Sequence, residues 1–142
     1  EQLILKDYNW ELVDLNEEVF DFDDARGKVV MVNYWATWCP PCVAEMPSLQ
    51  DLYEDYGTKV EFVLIARDEK EKVINFLNTK QYNFPVYFEA STSPEELSTE
   101  SIPTTFVIDM HGKIVVKKIG AANWNSKEMR ELLEVLINKD GI

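Results

Sequence analysis

Residues 29–47, Val29-Val30-Met31-Val32-Asn33-Tyr34-Trp35-Ala36-Thr37-Trp38-Cys39-Pro40-Pro41-Cys42-Val43-Ala44-Glu45-Met46-Pro47, decide the fold. Val29 to Trp35 is a nearly continuous apolar and β-branched run with Asn33 as its one strongly polar member, the pattern of a strand covered on both faces. Val43, Met46, Leu49, Leu52, Tyr53 and Tyr56 then recur near a 3.6-residue period and predict a helix, with Gly57 ending it in a left-handed cap. Pro40 and Pro41 fall in the first turn, where N–H groups lack helical partners in any case. Pro47 is in mid-helix, where it removes the bond to the Val43 carbonyl and predicts a kink.

Both cysteines of the chain lie in that stretch, as Cys39-Pro40-Pro41-Cys42 at the strand-to-helix handover. Two thiols separated by two residues can close a small disulfide ring and reopen it, so the spacing points to electron exchange with other thiols. A cysteine at a helix start sees the positive end of the helix dipole and free N–H groups, which favour thiolate over thiol. Cys39 is therefore the candidate nucleophile and Cys42 the resolving thiol. Because the two prolines have no N–H, the Cys42 and Val43 amides are the expected donors to the Cys39 sulfur. Resolution requires an inward-facing Cys42 to lose its proton, and Glu45, one helical turn on, has the spacing of a proton acceptor. The competing reading of Glu45 is an exposed glutamate favoured by the helix dipole. For the cysteine pair the rivals are half a zinc site and an inert structural disulfide. Four ligands are needed for zinc, and His111 is the only histidine.

On the N-terminal side, Trp10 to Phe22 alternates around Asn16-Glu17-Glu18 and predicts a hairpin capping one sheet edge. Val60 to Ala66 reads as a second interior strand. Asp68 with Glu71 forms a capping pair for a helix carrying Val73, Phe76 and Leu77. Val86 to Glu89 adds a strand, and Ser93-Pro94-Glu95-Glu96 signals a short helix. Thr105 to Met110 and Lys113 to Ile119 flank a two-residue His111-Gly112 turn and should pair antiparallel. An amphipathic helix follows, with Asn125 and Glu128 as its cap and Met129, Leu132, Leu133, Leu136 and Ile137 on one stripe. His111 reads as a surface turn residue, and Trp10, Trp35 and Trp124 as packing. In Ser101-Ile102-Pro103-Thr104 the X-Pro bond can be cis.

Bulk properties bound the rest. The 142 residues suit one domain, 1–142, large enough to bury roughly 68–70% of the surface its unfolded chain exposes. Fourteen basic against twenty-six acidic side chains give a formal charge of -12, which repels nucleic acid and anionic lipid and argues against both as partners. No run approaches about 18 apolar residues, so membrane insertion of this domain is not expected. The start at Glu1 instead of Met is expected of a mature or trimmed product whose targeting segment has been removed.

The run from Val32 to Pro47 resembles the thioredoxin superfamily, and closely its TlpA/ResA-like extracytoplasmic branch. The likeness extends to residues 102–109, Ile102-Pro103-Thr104-Thr105-Phe106-Val107-Ile108-Asp109, and to the hairpin ending Phe20-Asp21-Phe22 before Gly27-Lys28. The resemblance implies a thioredoxin-like α/β fold in three layers: a central mixed sheet with helices on both faces, an N-terminal hairpin and an insert around residues 68–100. It makes Pro103 the cis-proline opposite the dithiol, with Ile102 offering backbone groups to an extended client. With Trp38 and Pro40 these form the implied client-binding set. Glu45 matches the branch's acidic residue, and Pro47 its helix kink. Cytosolic thioredoxins carry a buried aspartate where this chain has Asn33, which leaves the proton relay to Glu45.

The expected function is thiol-disulfide exchange without cofactor or metal, as a reductant of client protein disulfides recharged by an upstream thiol donor. The resemblance places it outside the cytoplasm, periplasmic or tethered through a removed N-terminal anchor, in cell redox homeostasis or cytochrome c maturation. The alternatives are a thiol peroxidase, for which the usual threonine and arginine find no match, and a non-enzymatic peptide-binding module.

Overall fold

The computed structural model describes residues 3–138. At the centre of its sheet is β4 (Val29–Trp35), buried at all seven positions as its unbroken apolar run requires. It pairs in parallel with β5 (Val60–Ala66), from Val29 opposite Val60 to Trp35 opposite Ala66. On its other side it pairs antiparallel with β7 (Thr104–Ile108), with Tyr34 opposite Thr104. The remaining strands are β1 (Leu3–Ile4), β2 (Glu11–Asp14), β3 (Val19–Asp21), β6 (Val86–Glu89) and β8 (Lys113–Ile119). The order across the single mixed sheet is β1-β8-β7-β4-β5-β6-β2-β3. The β2–β3 hairpin thus closes one edge, as its alternation predicts, and β1 extends the other.

Alternation along the central strands divides the core in two. Met31, Trp35, Phe62 and Leu64 face Met46, Leu49 and Leu52 of α1 (Pro40–Tyr56), Val73 and Leu77 of α2 (Lys70–Lys80), and Met129, Leu133 and Leu136 of α3 (Lys127–Asn138). Val30, Val32, Tyr34, Val63 and Ile65 face the opposite way. They pack on Tyr8, Trp10, Phe22, Ala25 and Leu97, which come from the N-terminal segment and two 3₁₀ turns, Phe22–Ala25 and Glu95–Leu97. All three α-helices thus pack on one face, and the N-terminal segment with the two 3₁₀ turns covers the other. The parallel units β4–α1–β5 and β5–α2–β6 advance across the sheet in one direction, and crossovers of one hand place both helices on one face. This is the thioredoxin-like three-layer architecture implied by the motif, with α2, β6 and the second 3₁₀ turn in the insert.

Several local details differ from the sequence reading. Gly57 has φ -61° and ψ -19°, ordinary right-handed geometry, so no left-handed cap forms. Glycine is required there by proximity: a Cβ would lie 2.7 Å from the Tyr53 carbonyl oxygen. Asp68 does not cap α2, whose N-cap residue is Glu69 and makes no side-chain cap bond. The helix signalled at Ser93 is one 3₁₀ turn, Glu95–Leu97, without a side-chain cap. α3 is capped by Ser126, whose Oγ accepts from the Met129 N–H at 3.1 Å, whereas Asn125 Oδ1 accepts from Arg130 Nε at 2.6 Å. The β7–β8 connection is longer than two residues. Asp109 N–H donates to the Lys113 carbonyl, Asp109 Oδ1 accepts from the His111 and Lys113 N–H groups, and Gly112 takes φ +87°. Trp10, Trp35 and Trp124 are buried packing residues, and His111 is exposed in its turn. Among the described residues no helix is long and apolar enough to cross a membrane.

Candidate active site

Where β4 ends, Ala36-Thr37-Trp38 carries the chain to Cys39, which takes an extended conformation (φ -107°, ψ 102°) and serves as the N-cap of α1. Cys39 and Cys42 are joined as a disulfide with their Cα atoms 5.2 Å apart. Cys39 retains 4% exposure and Cys42 none, so only the first sulfur offers an edge to a partner. The Cys42 N–H donates to Cys39 Sγ at 3.3 Å. The Val43 N–H, expected to join it, donates to the Cys39 carbonyl at 3.0 Å instead. One main-chain amide and the helix dipole therefore face the sulfur.

Trp38 is 64% exposed and Pro40 is also exposed, so both flank the dithiol on the surface. The Ile102–Pro103 peptide is cis. Because Thr104 pairs with Tyr34 in an antiparallel ladder, Ile102 and Pro103 extend past the end of β4 from which the chain runs to Cys39. The Pro103 carbonyl accepts from the Gly120 N–H at 2.8 Å, and Ile102 stays half-buried ahead of the ladder. Backbone topology thus brings both segments to the same end of the sheet.

Glu45 is not the exposed helix-start glutamate of the competing reading: it is 2% exposed. Its Oε2 accepts from Asn33 Nδ2 at 2.9 Å, and its Oε1 accepts from Trp124 Nε1 at 2.7 Å and from the Ala122 N–H at 3.3 Å. Burial pushes the carboxyl above its ordinary value. The Trp124, Asn33 and Ala122 donors pull the other way without cancelling the rise. Glu45 also lines a surface cleft of about 420 Å³ with Ala44, Pro47, Ser48 and residues 121–123. Asn33, the single polar residue of β4, donates from the same nitrogen to Thr105 Oγ1 at 2.8 Å, while its Oδ1 is buried without a partner.

Two contributors escaped the sequence reading. Asp68 Oδ2 accepts from the Thr37 N–H at 2.8 Å and from the Thr37 hydroxyl, tying down the segment that leads into Cys39. Trp124 lies 79 residues from Glu45 in the chain, and no local pattern connects them. Asn33 did carry a signal, since a polar side chain in a doubly covered strand must find buried partners.

A family model described as Redoxin matches residues 5–136. The thiol-disulfide oxidoreductase ResA of Bacillus cereus is 36% identical over 134 residues, which cover 92% of this chain and 74% of that protein. The thioredoxin-like protein YneN of Bacillus subtilis is 31% identical over 131 residues, 89% of this chain and 76% of its own. A solved structure of a thioredoxin-family thiol:disulfide interchange protein from Chlorobium tepidum TLS superposes with a TM-score of 0.75 at 24% identity, covering 96% of this chain and 99% of that one, a likeness of fold. The chain belongs to the Redoxin family and is a thioredoxin-like thiol-disulfide oxidoreductase.

Proposed function

We propose that the chain reduces disulfides of client proteins outside the cytoplasm, with Cys39 attacking, Cys42 resolving and Glu45 taking the proton. The observation that carries this reading is the asymmetry of the pair. Cys39 keeps an accessible edge at a helix N-terminus, while Cys42 is fully buried one helical turn before a buried carboxyl with a raised proton affinity.

In the reduced protein the Cys39 thiolate attacks one sulfur of the client disulfide, forming a Cys39–client bond and expelling the first client thiolate. Cys42 gives its proton to Glu45 and attacks Cys39 Sγ, which breaks the mixed disulfide and expels the second client thiolate. The product is the Cys39–Cys42 disulfide, and two electrons have passed to the client. The Glu45 proton leaves toward a client thiolate or through the adjoining cleft. Ile102 presents main-chain groups to an extended client segment ahead of Pro103, and Trp38 and Pro40 border the sulfur. An upstream thiol donor restores the dithiol. The likeness to the TlpA/ResA-like branch supports cytochrome c maturation or general redox homeostasis as the setting.

A redox titration against glutathione tests the direction. A reductant equilibrates near the thioredoxin value of about -270 mV, and a potential near -120 mV, that of a strong oxidant, overturns the assignment.

A further inference from the structure

Every partner described for the Glu45 carboxyl is an N–H donor: Trp124 Nε1 and the Ala122 amide on Oε1, Asn33 Nδ2 on Oε2. Three donors suit a carboxylate. A carboxylic acid must itself donate one hydrogen, and an indole or a main-chain N–H cannot become an acceptor. Oε1, held by both, can only accept in either protonation state. A side-chain amide differs, because exchanging its ends replaces a donor with an acceptor. Asn33 has that capacity in reserve, since its Oδ1 is buried without a partner. With the amide turned over, Oδ1 would face the Glu45 Oε2 and the Thr105 hydroxyl together, and both could donate to it.

The indole is fixed in place. Trp124 is buried, its main-chain N–H donates to Ser48 Oγ at 3.0 Å, and that hydroxyl donates to the Glu45 carbonyl at 2.8 Å. The segment between β8 and α3 is thereby latched to α1 at Glu45 and Ser48, one turn apart. Among the described residues, the groups that hold the carboxyl and its Asn33 partner do not ionise: β4 contributes Asn33, β7 Thr105, and residues 121–124 Ala122 and Trp124. Lys127 and Glu128 at the start of α3 are exposed. On its own helix the ionisable side chain nearest in sequence is Cys42, one turn before Glu45, once the disulfide is opened; the carboxyls of Asp51, Glu54 and Asp55 lie further along α1.

We propose that Trp124 is a positioning residue that reserves Oε1 as an acceptor, so that the proton released by Cys42 is carried on Oε2 and received there by a turned Asn33 amide. This rests on the reading of Glu45 as the proton acceptor. The indole hydrogen bond favours the ionised carboxyl, so its loss raises proton affinity and leaves Glu45 already protonated over a wider acidic range.

The test is the single-turnover rate of mixed-disulfide resolution against pH in wild type, Trp124→Phe and Glu45→Gln. Trp124→Phe keeps an aromatic ring, smaller than the indole, and removes the donor. Its acidic limb should move to higher pH by about one unit, the tenfold change typical of losing a hydrogen bond to a charged group. Loss of packing alone would lower thermal stability and leave the limb in place. If Glu45→Gln abolishes the limb while Trp124→Phe superposes on wild type, the positioning role is wrong and the Glu45 reading stands. If Glu45→Gln keeps the wild-type limb, both fall. A measurement without the Phe variant guards against misfolding. In the wild-type reduced protein, the Trp124 indole and Asn33 side-chain amide resonances should shift through the interval of the acidic limb, and resonances flat across it overturn the proposal.

Discussion

Thr37 and Asp68 are joined by two hydrogen bonds to one oxygen: the Thr37 main-chain N–H donates to Asp68 Oδ2 at 2.8 Å, and the Thr37 hydroxyl donates to the same atom. The residue just beyond β5 thus anchors the segment entering Cys39 from the end of β4. Burial alone would push the Asp68 carboxyl up, but the Thr37 hydroxyl and amide and the Glu69 amide outweigh it and hold the carboxyl below its ordinary 3.8. A carboxyl depressed in the folded state contributes stability that is present above the unfolded value and lost as pH falls through the folded one. Asp68→Ala should therefore lower the urea midpoint at pH 7 and slow reduction of a protein disulfide, and its deficit against wild type should shrink below about pH 3.8. A deficit that is the same at pH 3 and pH 7 contradicts the charge-based part of this argument.

Glu45 has the opposite sign. Its folded carboxyl is raised by burial, so the protein is favoured below the unfolded value of 4.5 and loses that advantage as pH rises through the folded value. Glu45→Gln cannot ionise. The stability of oxidised wild type relative to oxidised Glu45→Gln should decline as pH rises from about 4.5 and then level off. Denaturant unfolding at several pH values measures this, and a pH-independent difference would show that the carboxyl is not perturbed.

The central sheet and the dithiol were legible because their signals are local. A seven-residue run that is apolar but for Asn33 marks a covered strand, a 3.6-residue period marks α1 and α3, and two cysteines three positions apart announce themselves. The caps expected at Asp68 and Asn125 do not form for one physical reason: their side-chain oxygens bond other partners, Thr37 for Asp68 and Arg130 for Asn125. The surroundings of Glu45 were illegible because two of its three donors come from a segment 77 and 79 residues away, joined to α1 by packing alone. Gly57 illustrates another limit. A glycine after a helix suggests a left-handed turn, whereas here it avoids the Tyr53 carbonyl.

Gly57→Ala sets two effects against each other. At φ -61° the backbone tolerates alanine, and relief of unfolded-chain entropy would stabilise by about 0.4–1 kcal/mol. A Cβ 2.7 Å from a main-chain oxygen opposes this with a clash of about 1–3 kcal/mol, so net destabilisation is expected. Urea unfolding at neutral pH decides the sign, and a stabilised variant would refute the steric argument.

Among the described residues Trp38 is the one large aromatic side chain left exposed, and it directly precedes the dithiol. Trp38→Ala should leave folding stability within about 0.5 kcal/mol of wild type, as for an exposed site. Reduction of a protein disulfide should lose about tenfold in kcat/KM, while a small-molecule disulfide, which has no flanking chain to contact, is reduced at the wild-type rate. Equal losses on both substrates would remove Trp38 from client binding.

Which sulfur meets the client is measured directly by trapping. With Cys42→Ser, a protein disulfide should convert the enzyme to a stable mixed disulfide through Cys39, identified by mass spectrometry of the linked peptide. Cys39→Ser should form no such adduct and reduce nothing. An adduct formed through Cys42 in the Cys39→Ser protein at a comparable rate would contradict the assignment of Cys39 as the nucleophile.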